Sequence, residues 1–150
     1  MTLKARLEDE LRVAMKARDE LVTSTLRMAL AAVRNAEVAG TEARALSDDE
    51  VLGVLAKEAK KRREAATAFA DAGRTSQAER ERAEEEVLTR YLPVQLGDEE
   101  LAAIVADTLA AGGFAGAKSM GPAMKAVQAA VAGRAEGVRV AAEVRRQLGT

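Results

Sequence analysis

Apolar residues recur at helical spacing along almost the whole chain. Leu3, Leu7, Leu11 and Ala14 form one stripe and predict a helix over about residues 3–18. Asp19 suits an N-cap, and behind it Val22, Leu26, Leu30 and Val33 repeat at i, i+4, i+8 and i+11 until Gly40 stops the pattern. A polar stretch, "TEARAL", then gives way to "SDDE", where Ser47 and Glu50 stand in the spacing of a capping box. The helix this opens runs to Gly73. Ser76 and Glu79 repeat the spacing before an acidic helix, "QAERERAEEEVLTRYL".

That acidic helix meets Pro93, which has no amide to continue the ladder and disfavours helical geometry at Leu92. Gly97 and Asp98 then read as a stop and a new cap. So "YLPVQL" reads as a hinge between residues 1–92 and residues 93–150. Beyond it three shorter stripes follow: Leu101, Ile104, Val105 and Leu109; then Met120, Met124, Val127 and Val131; then Val140, Val144 and Leu148. Ser119 is placed to cap the middle helix, with Pro122 in its first turn. Gly133 and Gly137 bracket the tight connection to the last helix. No segment alternates with the period of a strand. The expected fold is all-α, a four-helix N-terminal unit followed by a small three-helix unit.

Composition narrows the chemistry more than the architecture. The 150 residues include no cysteine and no histidine, and only 2% are aromatic. A thiol nucleophile, a thiolate metal site and a Ser-His-Asp triad are therefore excluded. No stretch reads as a phosphate-cradling GxxxxGK[ST] loop. No catalytic, cofactor-binding or metal-ligating residue is assigned on this reading. No apolar run reaches the roughly 20 residues of a membrane span, and "MTLKARLEDELR" resembles no export signal, so a cytoplasmic protein is expected. The net charge of -1 hides segregation: residues 71–112 carry 4 basic and 10 acidic side chains, residues 113–150 carry 6 and 2. The last quarter thus reads as a small basic unit behind an acidic neck.

Taken in order, "LRMALAAVRNAE", "KEAKKRREAATAF", "YLPVQLGDEEL" and "MGPAMKAVQAAVAGRAEG" resemble the YqeY-like family over roughly residues 3–148. The C-terminal part of that family is related to the tail domain of GatB, the B subunit of glutamine-dependent tRNA amidotransferases. The resemblance implies a link to carbon–nitrogen ligase activity with glutamine as amido-N-donor, in a chain that lacks the residues for that chemistry. It implies an accessory role, with tRNA or an amidotransferase/aminoacyl-tRNA complex as partner. The alternative is a helical protein–protein adaptor with no part in RNA binding or amidation.

The residues nominated for nucleic-acid contact are Lys118, Lys125, Arg134, Arg139, Arg145 and Arg146. Mobile cations suit a phosphate backbone, whereas ordinary solvated charge is the competing reading. Arg134 beside Gly133 serves either an anion or a tight turn. The basic run "KEAKKRRE" is either solvated surface or a partner for "ERERAEEE". Arg27, Arg34, Asn35 and Glu37, on a largely apolar helix, are expected to bond between helices.

Overall fold

The computed structural model describes residues 1–150 and contains helices and turns but no strand. The helices are α1 (Leu3–Lys16), α2 (Glu20–Glu37), α3 (Asp48–Asp71), α4 (Thr75–Thr89), α5 (Asp98–Gly112), α6 (Met120–Val131) and α7 (Gly137–Leu148), with a 3-10 turn at Ala117–Ser119 ahead of α6. The all-α expectation holds. No single helix is long and apolar enough to cross a membrane. The chain packs as two units, Met1–Leu92 and Pro93–Thr150.

The first unit buries the stripes that its periodicity defines. Leu7 from α1, Leu26, Ala29, Leu30 and Val33 from α2, Val51, Leu55 and Ala59 from α3, and Val87 and Leu88 from α4 form one cluster. Each fully buried Leu or Val contributes about 1.5–3 kcal/mol of transfer free energy. Ser47 and Glu50 form the expected capping box: Ser47 Oγ accepts from the Glu50 amide at 3.2 Å, and Glu50 accepts from the Ser47 amide at 2.8 Å. The Arg44 guanidinium grips the same Glu50 carboxylate through two bonds, at 2.7 and 3.0 Å. These bonds, the arginine's first, hold the Glu50 pKa down at about 2.

Some boundaries of this unit differ from the sequence reading: α1 ends at Lys16, two residues early. The second helix ends at Glu37, because Val38 and Ala39 already close its last turn, and Gly40 lies outside it. Ser76 is no cap. α3 closes in a Schellman turn, with the Arg74 amide on the Phe69 carbonyl at 2.8 Å and Gly73 at φ 76°. The turn is so short that Arg74 becomes the N-cap of α4 and Ser76 falls inside the helix.

The second unit has its own core of Leu96, Leu101, Val105, Leu109, Ala123, Val127, Val131, Val140 and Val144, with Ile104, Phe114, Met120, Met124 and Leu148 packed on it. All three predicted stripes are in it. Ser119 stands at the boundary of α6 but makes no cap bond. Its hydroxyl instead bridges the Ala115 amide and carbonyl at 3.1 and 3.0 Å, because the 3-10 turn has already set helical geometry at that position. The cap of α5 is Gly97 rather than Asp98, with Glu100 reaching back to the Gly97 amide at 3.4 Å.

The proline-marked stretch is divided between the two cores. Tyr91 and Leu92 pack on the first, and the Tyr91 hydroxyl donates to Glu10 while Arg6 lies 4.9 Å above the ring. Leu96 is buried in the second, and its amide donates to the Arg134 carbonyl at 2.7 Å. Gln95 donates to the Gly133 carbonyl at 3.3 Å, so this segment clasps the α6–α7 turn.

Candidate nucleic-acid interface

All six nominated cations lie in the second unit, and they are all the Lys and Arg it has. The unit also holds six acidic residues, Asp98, Glu99, Glu100, Asp107, Glu136 and Glu143, and is neutral. A basic C-terminal unit is therefore the wrong description. The sequence window began inside the packed unit and left out α5, whose carboxylates share a core with the arginines of α7.

The six cations fall into two groups. Arg134 turns back on its own helix end, donating to the Val131 carbonyl at 2.9 Å and the Ala130 carbonyl at 3.0 Å. It satisfies carbonyls that the end of α6 leaves orphaned, which is a structural duty. Ala132 and Gly133 make that turn with positive φ, 51° and 77°. Arg139 pairs with Asp98 at 2.8 Å, tying α7 to the start of α5. Arg146 pairs with Glu143 one turn back, and this bond, followed by one from Gln147 at 2.8 Å, lowers the Glu143 pKa to about 2.

Lys118, Lys125 and Arg145 are exposed and have no carboxylate partner. Lys118 sits in the 3-10 turn, Lys125 in α6 and Arg145 in the last turn of α7, so every element after α5 contributes one. Phe114, the unit's one aromatic residue, packs on the core and is not displayed for base stacking. What remains suits phosphates rather than bases.

The basic run in α3 has a different fate. Arg62 reaches across to α4, with Glu81 at 3.9 Å and Glu84 at 3.6 Å, and down its own helix to Glu58 at 3.1 Å. Arg63 lies 3.5 Å from Glu85, Lys61 3.2 Å from Glu58 and Lys60 4.0 Å from Glu64. Arg80 completes the network, binding Glu84 on α4 and both oxygens of Glu20 on α2. Burial pushes the Glu81 carboxyl up and the neighbouring Glu84 charge adds to it, against the pull of Arg62 and Arg80. The acidic helix is thus the partner of the basic run. Within the basic run, Lys57 is left in solvent without a carboxylate.

The polar residues of α2 divide likewise. Glu37 bonds across to Lys4 of α1 at 2.9 Å, as expected. Arg34 and Asn35 are exposed and make no interhelical bond, because they lie on the face turned away from the core. Arg27 meets only the Met15 sulfur, at 3.8 Å.

A family model spans this whole arrangement, matching residues 4–148 under the description Yqey-like protein. The chain belongs to the Yqey-like protein family. Among curated proteins it has no match. Within this family member, then, the N-terminal unit ties α3, α4 and α2 together through its charges while other cations such as Arg34 and Lys57 stay in solvent, and the C-terminal unit leaves Lys118, Lys125 and Arg145 without a carboxylate.

Proposed function

We propose that this Yqey-like protein is an accessory factor of tRNA-dependent amidation. In this reading the C-terminal unit engages the tRNA backbone through Lys118, Lys125 and Arg145, and an amidotransferase partner carries out the glutamine-dependent carbon–nitrogen ligation. The single observation that supports it is the separation of the six cations. Arg134, Arg139 and Arg146 are committed within the unit, and the other three are exposed, unpaired and attached to a rigid core. The absence of thiol and imidazole, which leaves only carboxylate, lysine or serine-lysine chemistry, supports a role as helper rather than catalyst.

Fluorescence anisotropy with tRNA across a salt series tests this. If three phosphates are neutralised, the log–log slope on duplex is about -2.7. Charge reversal at Lys118, Lys125 and Arg145 together is expected to remove most of that slope and weaken binding at least about tenfold, with the helical content unchanged. Binding that is absent at low salt, or indifferent to salt and to these substitutions, defeats the proposal. Glutamine supplied to the protein alone is expected to release no ammonia.

A further inference from the structure

Tyr91 holds the neck to α1 by its side chain, at a place where the backbone supplies no stop. α3, α5 and α7 end in a left-handed glycine, Gly73, Gly113 and Gly149, that turns the chain away. The end of α4 has no residue at positive φ. Arg90 stays helical, at φ -61° and ψ -24°, and the Tyr91 and Leu92 amides reach back to the Leu88 and Thr89 carbonyls, both at 3.1 Å. The winding stops only where Pro93 has no amide to offer. A helix end closed in this way frays unless side chains hold it.

Side chains do hold it. Leu92 and Tyr91 pack on the first core, both only partly buried, and the Tyr91 hydroxyl donates to Glu10 Oε2. The other Glu10 oxygen accepts from Arg6 Nε at 3.0 Å, and the Arg6 guanidinium lies 4.9 Å above the Tyr91 ring. The three side chains close a ring between α1 and a residue 81 positions later. Burial pushes the Tyr91 hydroxyl up, and the Glu10 bond adds to it, so the phenol keeps its proton. Against its own burial, the bonds from Tyr91 and Arg6 hold the Glu10 carboxyl below the usual range, so it stays charged. Past the proline, the chain is tied into the second unit at once: Gln95 donates to the Gly133 carbonyl at 3.3 Å, and the Leu96 amide to the Arg134 carbonyl at 2.7 Å. Between these ties lie Pro93 and Val94. Val94 is 87% exposed and makes no backbone bond, and one side-chain bond, Gln95 to the Pro93 carbonyl at 3.3 Å, spans it.

We infer that the ring of Tyr91, Glu10 and Arg6 is a latch that sets the length of the joint between the two units. Shut, it leaves Pro93 and Val94 as the joint, and proline fixes one of their torsions. Open, it gives up Arg90, Tyr91 and Leu92 as well, which adds at most about 10 Å of chain. The hydroxyl is the part that decides. Arg6 and Glu10 are 52% and 40% exposed, so their ion pair alone is weak. A hydroxyl donating to an ionised carboxylate is the stronger bond. The latch works in the free protein and is independent of the tRNA reading.

Amide nitrogen relaxation on the full-length protein tests this. In the parent, low heteronuclear NOE values between Thr89 and Leu96 are expected at Val94 alone. Tyr91→Phe keeps the ring and removes the hydroxyl. The low values are then expected to spread to positions 90–92, while α1 to α4 and Leu96 stay rigid. Trypsin reads the same opening: cleavage after Arg90 is expected to rise about tenfold, because it tracks the open population. Glu10→Ala should reproduce both effects, and the double variant should add nothing, since either change opens the same latch. The proposal is overturned if mobility in the parent already reaches Leu92, if Tyr91→Phe leaves positions 90–92 as rigid and protected as before, or if the two changes add. It is equally overturned if α4 loosens along its whole length, which would make Tyr91 a core residue and no latch.

Discussion

Replacing Arg62 by methionine tests how the N-terminal unit is held together. The guanidinium stands among three carboxylates, Glu58, Glu84 and Glu81, at 3.1, 3.6 and 3.9 Å, and also touches the Met28 sulfur at 3.6 Å. Methionine keeps most of the aliphatic volume and removes the charge. Glu58 retains Lys61 and Glu84 retains Arg80, but Glu81 loses its close cation. Removing one member of a buried ion pair costs about 3–5 kcal/mol. Because two carboxylates keep a partner and Arg62 is 19% exposed, about 2–3 kcal/mol is expected here. For a unit of this size that is a fall of roughly 10–20 °C in midpoint.

Tyr91, the chain's one tyrosine, lies in this unit and there is no tryptophan, so tyrosine fluorescence reports its unfolding without the C-terminal unit. The pH dependence decides the cause. Burial already pushes the Glu81 carboxyl up, and without Arg62 it loses the nearest cation opposing that rise, so its folded pKa stands further above the unfolded one, about 4.3, and its penalty is complete at neutral pH. It fades as pH falls through the raised Glu81 value and is gone below the unfolded one. An equal deficit for Arg62→Met at pH 4 and pH 7 would show that lost packing, not uncompensated charge, is responsible.

Three further outcomes are expected. Gly53→Ala, in the interior of α3 with open space at its Cβ, should stabilise by about 0.5–1 kcal/mol, whereas at Gly112 the same change drives a Cβ into the Phe114 ring and should lower the C-terminal unit's midpoint in calorimetry. Ser47→Ala should cost about 1 kcal/mol in urea titration, since the capping box closes the start of α3. Glu143, depressed to about 2 by Arg146 and Gln147, contributes stability that is present above the unfolded value and lost as pH falls towards about 2. Glu143→Gln should therefore flatten the acid limb of the second unit's stability curve, and NMR titration of its carboxyl carbon should place the midpoint directly.

The chain by itself determined its helices, because a stripe such as Leu26, Leu30 and Val33 has one economical burial and a Ser47–Glu50 pair acts within a single turn. Local interactions of that kind are written at fixed spacing. Ser76 misled because its spacing imitates a cap, while the real boundary was set by Gly73, three residues back, and the Phe69 carbonyl, seven back. Charge was the part that only the tertiary structure decided. Arg62 and Lys118 look equally basic in the sequence, yet one lies among carboxylates from two helices and the other faces water. Electrostatic partners are chosen by helix packing and range over the chain, 60 positions apart for Arg80 and Glu20, so no local pattern contains them.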